Sequence, residues 1–383
     1  MNKKSIITMM LALVAVAGQA QTFTPIVEDS IDFVITGTTT SSHDSVAMFP
    51  CAPHGETVKS PIVDGKFKVT GRQPRHTFIQ IGDNAENDLR FIVEEMPTNI
   101  NLVTGEVSGS KLQQRFIRCQ MREREIHRVV QPWWNSLSDE DKERIITMRM
   151  DGLPYATAKD SANMEKYDSH MADLLATNRQ NIRENLDNVI PAWYLYTGMG
   201  SLTLEQMNEF MREDAAYAHH PAMERPWKKY WGILQQMNIT GKPAPDFEAE
   251  APDGAMHRLS EYTGHGQYVL IDFWASWCGP CIASFPLMKQ MHEVFGERGL
   301  RIIGVSVDQD KDSWLNAVDK YQLPWLQLRE TTASQSNRTS ASEKYGITGV
   351  PTFVLIAPDG TVISTDLDRK ELKTKLEEIF EVK

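Results

Sequence analysis

Residues 273–286 read FWASWCGPCIASFP, and this stretch decides the fold expected for the C-terminal part of the chain. Apolar residues predict a buried strand over 268–273, and helical spacing predicts a helix over 281–295. Two of the four cysteines, Cys278 and Cys281, therefore lie where a strand ends and a helix begins. Such a close pair can belong to a zinc site, a structural disulfide or a redox-active dithiol.

The position of the pair favours redox chemistry. Cysteines three residues apart on a first helical turn are close enough to form a disulfide. We expect Cys278 to face out, and the positive end of the helix dipole favours its thiolate, the form that attacks disulfides. Cys281 is predicted to be more buried and to act as the resolving thiol. Pro280 suits the first turn, and we expect Trp277, Gly279 and Pro280 to bind substrate around the dithiol.

A zinc site does not fit the remaining candidate ligands. Four ligands require a second pair at short spacing, whereas Cys51 and Cys119 are isolated. His219 and His220 are adjacent and point in different directions on any regular element. We therefore predict no metal and no other cofactor. We expect the two isolated cysteines to be buried and free, and an interdomain disulfide or an internal redox partner stays open.

Two further residues support the dithiol interpretation. Asp272 lies in an otherwise apolar strand, where burial raises the pKa of a carboxyl group. Such an acid can take a proton from Cys281 during resolution, and satisfaction by local hydrogen bonds is the alternative. Pro351 precedes a predicted strand, and a cis bond there would present the Val350 backbone to an extended substrate.

The hydrophobic pattern divides the chain into regions of different structure. Residues 21–110 alternate short apolar runs with turn residues, which predicts a small β-sandwich-like domain. Apolar residues at helical spacing predict a helical region over 111–240. Two prolines and a glycine within 238–246 mark a boundary. Beyond it, strands alternate with helices over 241–383, which predicts an α/β sheet covered on both faces.

The bulk composition is that of an ordinary folded protein. At 383 residues, with 41% hydrophobic and 24% charged residues, the chain is long enough for two or three domains. Its net charge of −11 argues against nucleic acid or an anionic membrane surface as a partner.

The N-terminus has the pattern of a secretory signal. Lys3 and Lys4 precede an apolar run over 6–17, and small residues follow up to Ala20. This run is too short to cross a bilayer, so we predict cleavage near Ala20 and export to the periplasm as a soluble protein. In an exported chain, a single close cysteine pair indicates a redox-active site rather than a fold stabilised by disulfides.

The motifs around the dithiol resemble those of a known superfamily. DFWASWCGPC (272–281) and GVPTF (349–353) together look like the thioredoxin superfamily. GKPAPDF (241–247) and the additional helix and strand predicted over 312–328 resemble the TlpA/ResA-like thiol:disulfide interchange proteins. The resemblance covers about 242–383. The N-terminal part is more loosely similar to a β-rich domain of unknown function that often precedes such modules in exported proteins of Gram-negative bacteria.

The resemblance implies a role for each matching residue. It implies a thioredoxin fold with Cys278 as nucleophile, Cys281 as resolving thiol, Asp272 as buried acid and Pro351 as cis-proline. Many relatives carry a basic residue after the second cysteine and an acid before the helix proline, where this chain has Ile282 and Ser284. We therefore expect a less charged rim around the dithiol.

These features predict an exported thiol:disulfide oxidoreductase that acts as a reductase or isomerase. Its expected partners are disulfide-containing exported proteins and a membrane-bound thiol electron donor, because a dithiol in an oxidising compartment needs re-reduction. A net oxidant is the alternative within this class. Outside it, the alternatives are a partner-binding or assembly protein of the cell envelope with a vestigial redox site, and a peroxidase, against which the CGPC dithiol argues.

Overall fold

The computed structural model describes five stretches of the chain, namely 22–52, 56–82, 88–151, 157–330 and 339–381. Two compact units are present, one over residues 23–227 and one that holds residues 228–383. The predicted signal sequence and its cleavage point near Ala20 lie outside the described residues. Within these stretches, no helix combines the length and the apolar character that crossing a bilayer requires.

A β-sheet forms the first part of the N-terminal unit. Its strands are β1 (Ser30–Thr38), β2 (Ser45–Ala52), β3 (Val58–Val63), β4 (Lys66–Pro74), β5 (Phe78–Gly82), β6 (Leu89–Ile92), β7 (Thr98–Asn101) and β8 (Val107–Ser108). They form one eight-stranded sheet in the order β6-β5-β2-β3-β4-β1-β7-β8. This differs from a sandwich of two separate sheets, because β3 pairs with both β2 and β4 and connects the two halves by hydrogen bonds.

Alternating apolar residues explain why the sheet curls around a core. On β1, Ile31, Phe33 and Ile35 are buried and the residues between them are more exposed. They share a core cluster with Met48 of β2 and Phe91 of β6, so both halves of the sheet contribute inward-facing side chains to one core. The predicted β-rich character of this region is therefore correct, although its sheet is continuous.

Helices complete the N-terminal unit. They are α1 (Lys111–Ser136), α2 (Asp139–Asp151), α3 (Ala158–Arg183), α4 (Ile190–Gly198) and α5 (Leu204–Phe210), and α6 (Glu224–Ile239) crosses the division between the units. The Ser110 hydroxyl caps α1 by accepting a hydrogen bond from the Gln113 N–H. The Phe78 ring of β5 lies 5.7 Å from the Phe116 ring of α1, so the helices pack directly on the sheet. This packing places the predicted β-rich and helical regions in one compact unit.

The second unit is built on a mixed sheet. Its strands are β9 (Glu248–Glu250), β10 (Met256–Arg258), β11 (Tyr268–Trp274), β12 (Leu300–Ser306), β13 (Leu326–Glu330), β14 (Thr352–Ile356) and β15 (Val362–Leu367). They form a seven-stranded sheet in the order β10-β9-β13-β12-β11-β14-β15. The three central strands β11, β12 and β13 are parallel, and the outer strands pair antiparallel to their neighbours.

Helices cover both faces of this sheet, as the sequence predicts. They are α7 (Gly279–Phe295), α8 (Lys311–Tyr321), α9 (Ala341–Lys344) and α10 (Arg369–Ile379). One core cluster joins Leu270 and Trp274 of β11 to side chains of α7, α8 and α10. The other joins Val269, Ile271 and Phe273 of the same strand to Ile239 of α6 and the α9 region. The alternation along β11 thus assigns even-numbered positions to the α7 face and odd-numbered positions to the opposite face.

Candidate functional site

The two cysteines form a disulfide at the N-terminus of α7. Cys278 is the cap residue that precedes the helix, Cys281 lies in the first turn, and their Cα atoms are 5.3 Å apart. The backbone N–H of Cys281 donates to the Cys278 sulfur at 3.2 Å. Because this donor and the helix dipole both point at the sulfur, they favour negative charge on it once the disulfide is reduced.

Cys278 is less exposed than the sequence predicts. Its exposed fraction is 4%, and that of Cys281 is 0%. The Cys278 sulfur lies 3.5 Å from the carbonyl oxygen of Val350, and the peptide bond between Val350 and Pro351 is cis. The segment before β14 therefore covers the sulfur from one side, which explains the difference from the expected outward-facing thiol.

The surface next to the disulfide is formed by the residues between and before the cysteines. Trp277 is 71% exposed, an unusual state for so large an apolar side chain. Gly279 and Pro280 are also exposed, and Pro280 lies in the first helical turn as predicted. A Cβ atom added at Gly279 would meet nothing within 4 Å, so a side chain is sterically possible at this position. Val350 is half-buried and packs against both core clusters of the unit.

Asp272 is a buried acid on the same face of β11 as Leu270 and Trp274, which pack in the cluster that contains Cys281. Its exposed fraction is 1%, and burial raises its pKa to about 7. Among the described residues, neither carboxyl oxygen has a hydrogen-bond partner. Satisfaction by local hydrogen bonds, the alternative that the sequence left open, therefore does not apply to the part of the chain that the structure describes.

A second buried acid, Asp308, was not found by sequence reasoning. It is 3% exposed and follows β12. Its carboxylate accepts hydrogen bonds from the Ser276 N–H at 2.8 Å, the Ser276 hydroxyl at 2.7 Å and the Ser306 hydroxyl at 2.7 Å. Asp308 thus holds the loop that leads from β11 to Cys278. The only signal in the sequence is an acid just beyond a predicted strand end, and nothing in the pattern links it to Ser276.

Ile282 and Ser284, the two positions at which the sequence resemblance indicates a departure from the relatives, lie partly inside the fold. Ser284 is fully buried, and its hydroxyl donates to the Cys281 carbonyl at 2.6 Å. Ile282 is half-buried and packs against the cluster that contains Cys281. Ser284 therefore does not contribute to the rim around the dithiol, contrary to the expectation from the sequence, because its position on α7 faces the core.

The other two cysteines are buried and free, as predicted. Burial raises the pKa of Cys51 to about 11, and burial also raises the pKa of Cys119. The Cys119 sulfur accepts hydrogen bonds from Arg122 and Asn185, both at 3.6 Å. These thiols are therefore poor nucleophiles at neutral pH. Over the residues that the structure describes, no group of three His, Cys, Asp or Glu side chains is arranged to hold a metal ion.

Comparison with known proteins connects this geometry to a family. Residues 240–365 match the model of the AhpC/TSA family. The chain is 29% identical over 152 residues to the thiol-disulfide oxidoreductase ResA of Bacillus cereus, which covers 40% of this chain and 82% of that protein. The C-terminal part of the chain is a thioredoxin-like domain related to these oxidoreductases.

Other relatives carry similar names. Identity to the ResA protein of Bacillus subtilis is 30% over 123 residues, which is 32% of this chain and 64% of that protein. Among solved structures, the thioredoxin domain of a thiol-disulfide oxidoreductase from Bacteroides vulgatus is 27% identical and covers 37% of this chain and 97% of that chain, with a TM-score of 0.34. The match to the family model and the similarity to the ResA proteins confirm the predicted resemblance for the C-terminal part, whereas that of the N-terminal part stays a prediction.

Proposed function

We propose that the chain is an exported thiol:disulfide oxidoreductase that reduces or isomerises disulfides of exported proteins through Cys278 and Cys281. The observation that carries the proposal is a disulfide at a helix N-terminus within a domain related to the ResA oxidoreductases. The predicted signal sequence supports a periplasmic location.

The first step is attack by the reduced form on a substrate disulfide. The Cys278 thiolate, favoured by the Cys281 N–H and the helix dipole, attacks one sulfur of the substrate. A bond forms between Cys278 and that sulfur, and the substrate disulfide breaks. The second substrate sulfur leaves as a thiolate and takes a proton from water.

The second step releases the substrate. Cys281 gives its proton to the Asp272 carboxylate, and its thiolate attacks the Cys278 sulfur of the mixed disulfide. The internal disulfide forms, and the other substrate sulfur leaves as a thiolate that is then protonated. Asp272 suits this role because its pKa of about 7 lets it hold or release a proton near neutral pH. In sum, the substrate disulfide gains two electrons from the protein dithiol and two protons. The Cys281 thiol releases one proton in the cycle, and water supplies the other, because Cys278 reacts as a thiolate.

Two features of the surface support a protein substrate. The exposed Trp277 ring offers an apolar contact beside the reacting sulfur. The Val350 carbonyl lies 3.5 Å from the Cys278 sulfur, and the backbone of this residue would pair with an extended substrate segment. A protein thiol donor of the membrane would return the disulfide to the reduced form after each cycle.

Trapping of mixed disulfides tests the proposal. In the full chain, Cys281→Ala removes the resolving thiol, so Cys278 should stay joined to its substrates in envelope extracts as adducts that a reductant releases. The double variant Cys278→Ala/Cys281→Ala is the matched control and should trap nothing. Equal yields from the two variants would favour the partner-binding alternative, in which the redox site is vestigial.

Two further measurements separate the redox alternatives. A reduction potential near the oxidising end, roughly −120 mV, would contradict a reductase and favour a net oxidant. Consumption of hydrogen peroxide with a small thiol and without a protein substrate would favour a peroxidase. We expect neither result.

A further inference from the structure

The buried Asp272 carboxyl has two oxygens that no described residue satisfies. Its neighbours across the sheet are Phe353 on β14 and Gly304 on β12. Phe353 is apolar and Gly304 has no side chain, so neither provides a donor. Because buried polar groups are almost always hydrogen-bonded, the carboxyl needs a partner from further along the same row of the sheet.

Gln327 of β13 is the next residue in that row. It pairs with Gly304, and both strand pairs are parallel, so the side chains of Asp272 and Gln327 lie on the same face on either side of Gly304. The Gln327 amide lies directly over the glycine, since a Cβ atom added there would be 2.4 Å from Oε1 and 2.8 Å from Nε2. The missing side chain at Gly304 is what allows the amide to reach toward β11.

The orientation of the Gln327 amide is set by a second contact. Its Oε1 accepts a hydrogen bond from the Trp274 indole N–H at 3.1 Å, and both side chains are buried. The amide oxygen is thus committed to Trp274. Its Nε2 is buried and has no hydrogen-bond partner among the described residues. A buried donor without an acceptor and a buried acceptor without a donor therefore lie on the same face, separated by one glycine.

We propose that Gln327 is a positioning residue whose Nε2–H donates, through one buried water, to the Asp272 carboxyl. A bridging water is suited to polar groups that are too far apart for a direct hydrogen bond, and it would satisfy both. The inference rests on the proposed function, because it concerns the acid that would take the proton of Cys281. By stabilising the carboxylate, Gln327 would set the pH at which that proton can be transferred.

Charged groups on the surrounding elements do not account for the behaviour of Asp272. Burial raises the pKa of its carboxyl. The ionisable side chains on β12, β13 and α7 are Cys281, Lys289, His292, Glu293, Arg301, Arg329 and Glu330. Lys289 binds the Tyr321 carbonyl, Arg329 binds Glu250, and Glu330 binds Ser342. The charges of these three side chains are thus engaged by other partners.

The titration of Asp272 tests this inference in the oxidised full chain. With aspartate labelled by ¹³C at the carboxyl carbon, NMR follows the protonation of this residue, and Asp272→Asn identifies its signal. Gln327→Leu keeps the approximate volume and removes the donor, so the pKa of Asp272 should rise by about one unit. Gln290→Leu, at an exposed position of α7, is the matched control and should leave the titration unchanged. An unchanged titration in folded Gln327→Leu would overturn the inference.

A measurement on the wild-type chain covers the case in which Gln327→Leu does not fold. The side-chain amide protons of Gln327 should shift with pH and show the same midpoint as the Asp272 carboxyl. Amide signals that do not respond through that midpoint would overturn the inference. Neither measurement requires turnover. If the pKa of Asp272 rises in Gln327→Leu but no substrate is trapped, the proposed function is wrong and the role of Gln327 stands. If substrates are trapped but the titration does not change, the role of Gln327 is wrong and the proposed function stands.

Discussion

At the scale of single residues, Asp272 is a position where burial makes the charged form of a side chain unfavourable. The ordinary pKa of its carboxyl is 3.8 and burial raises it to about 7 in the folded chain. Between these two values the folded chain holds a proton that the unfolded chain releases. The contribution of this group to stability is therefore complete only well below pH 3.8, falls as the pH rises toward 7, and stays constant above that.

Asp272→Asn should make the oxidised protein more stable at pH 8 by up to about 4 kcal/mol, which corresponds to a shift of about three pKa units. At pH 4 most of this gain should be lost, because the wild-type acid is neutral in the folded chain and only about half ionised in the unfolded chain, where its pKa is 3.8. Urea unfolding at the two pH values measures this difference. Asp312→Asn, at an exposed position of α8, is the control. A gain of equal size at both pH values would show that the charge of Asp272 is not the cause.

At the scale of elements, the loop from β11 to α7 is fixed by its neighbour β12. Asp308, just beyond β12, accepts two hydrogen bonds from Ser276 and one from Ser306. This arrangement ties the loop that carries Trp277 and Cys278 to the parallel strand beside it. The position of the dithiol thus depends on a residue about thirty positions further along the chain.

Asp308→Ala should destabilise the protein by about 3 kcal/mol, because it leaves two hydroxyl groups and an N–H without a buried acceptor. It should also slow disulfide exchange by Cys278. Asp310→Ala is the comparison, since Asp310 is an exposed cap of α8 that accepts from the Ser313 N–H, and its loss should destabilise the protein by about 1 kcal/mol. Urea unfolding of both variants tests the difference, and equal costs would contradict a special role for Asp308.

Periodicity in the sequence was sufficient to place most elements but not the contacts between them. The strands β11, β12 and β14 and the helix α7 follow from apolar runs and turn residues, and the positions of Cys278, Cys281 and Asp272 follow with them. Strand β3 has no clear signal in the sequence, because it holds Pro61 and its one fully buried residue is Ser60, so it lacks an apolar face. Asp308 and Gln327 were missed because their partners lie 32 and 53 residues away in sequence.

At the scale of the whole molecule, the second compact unit begins earlier than the sequence indicates. Proline and glycine residues suggest a start at residue 241, whereas the structural division falls at residue 228, within α6. Ile239 of α6 belongs to the core cluster on one face of the sheet. The Gln235 side chain donates to the Lys344 carbonyl at 2.9 Å. The last turns of α6 are therefore part of the thioredoxin-like unit, which a loop-based boundary does not reveal.

A fragment over residues 224–383 should consequently be more stable than a fragment over residues 241–383. The shorter fragment loses Ile239 and the Gln235 hydrogen bond, and removal of one buried aliphatic side chain alone costs about 2–5 kcal/mol. Thermal unfolding of both fragments in the oxidised state measures the difference. Equal melting temperatures would place the boundary at residue 241 as the sequence suggests.

The burial of Cys51 and Cys119 has a consequence for electron counting. The chain has four cysteines, but the two thiols outside the disulfide are buried, and burial raises their pKa. The reduced native protein should therefore deliver two electrons per molecule to a coloured disulfide reagent, and two more thiols should react only after denaturation. Rapid reaction of all four thiols in the reduced native chain would contradict this expectation. Because only these two thiols react in the native chain, a redox titration of the intact protein measures the Cys278–Cys281 couple alone. Cys51 and Cys119 need not be replaced for this measurement.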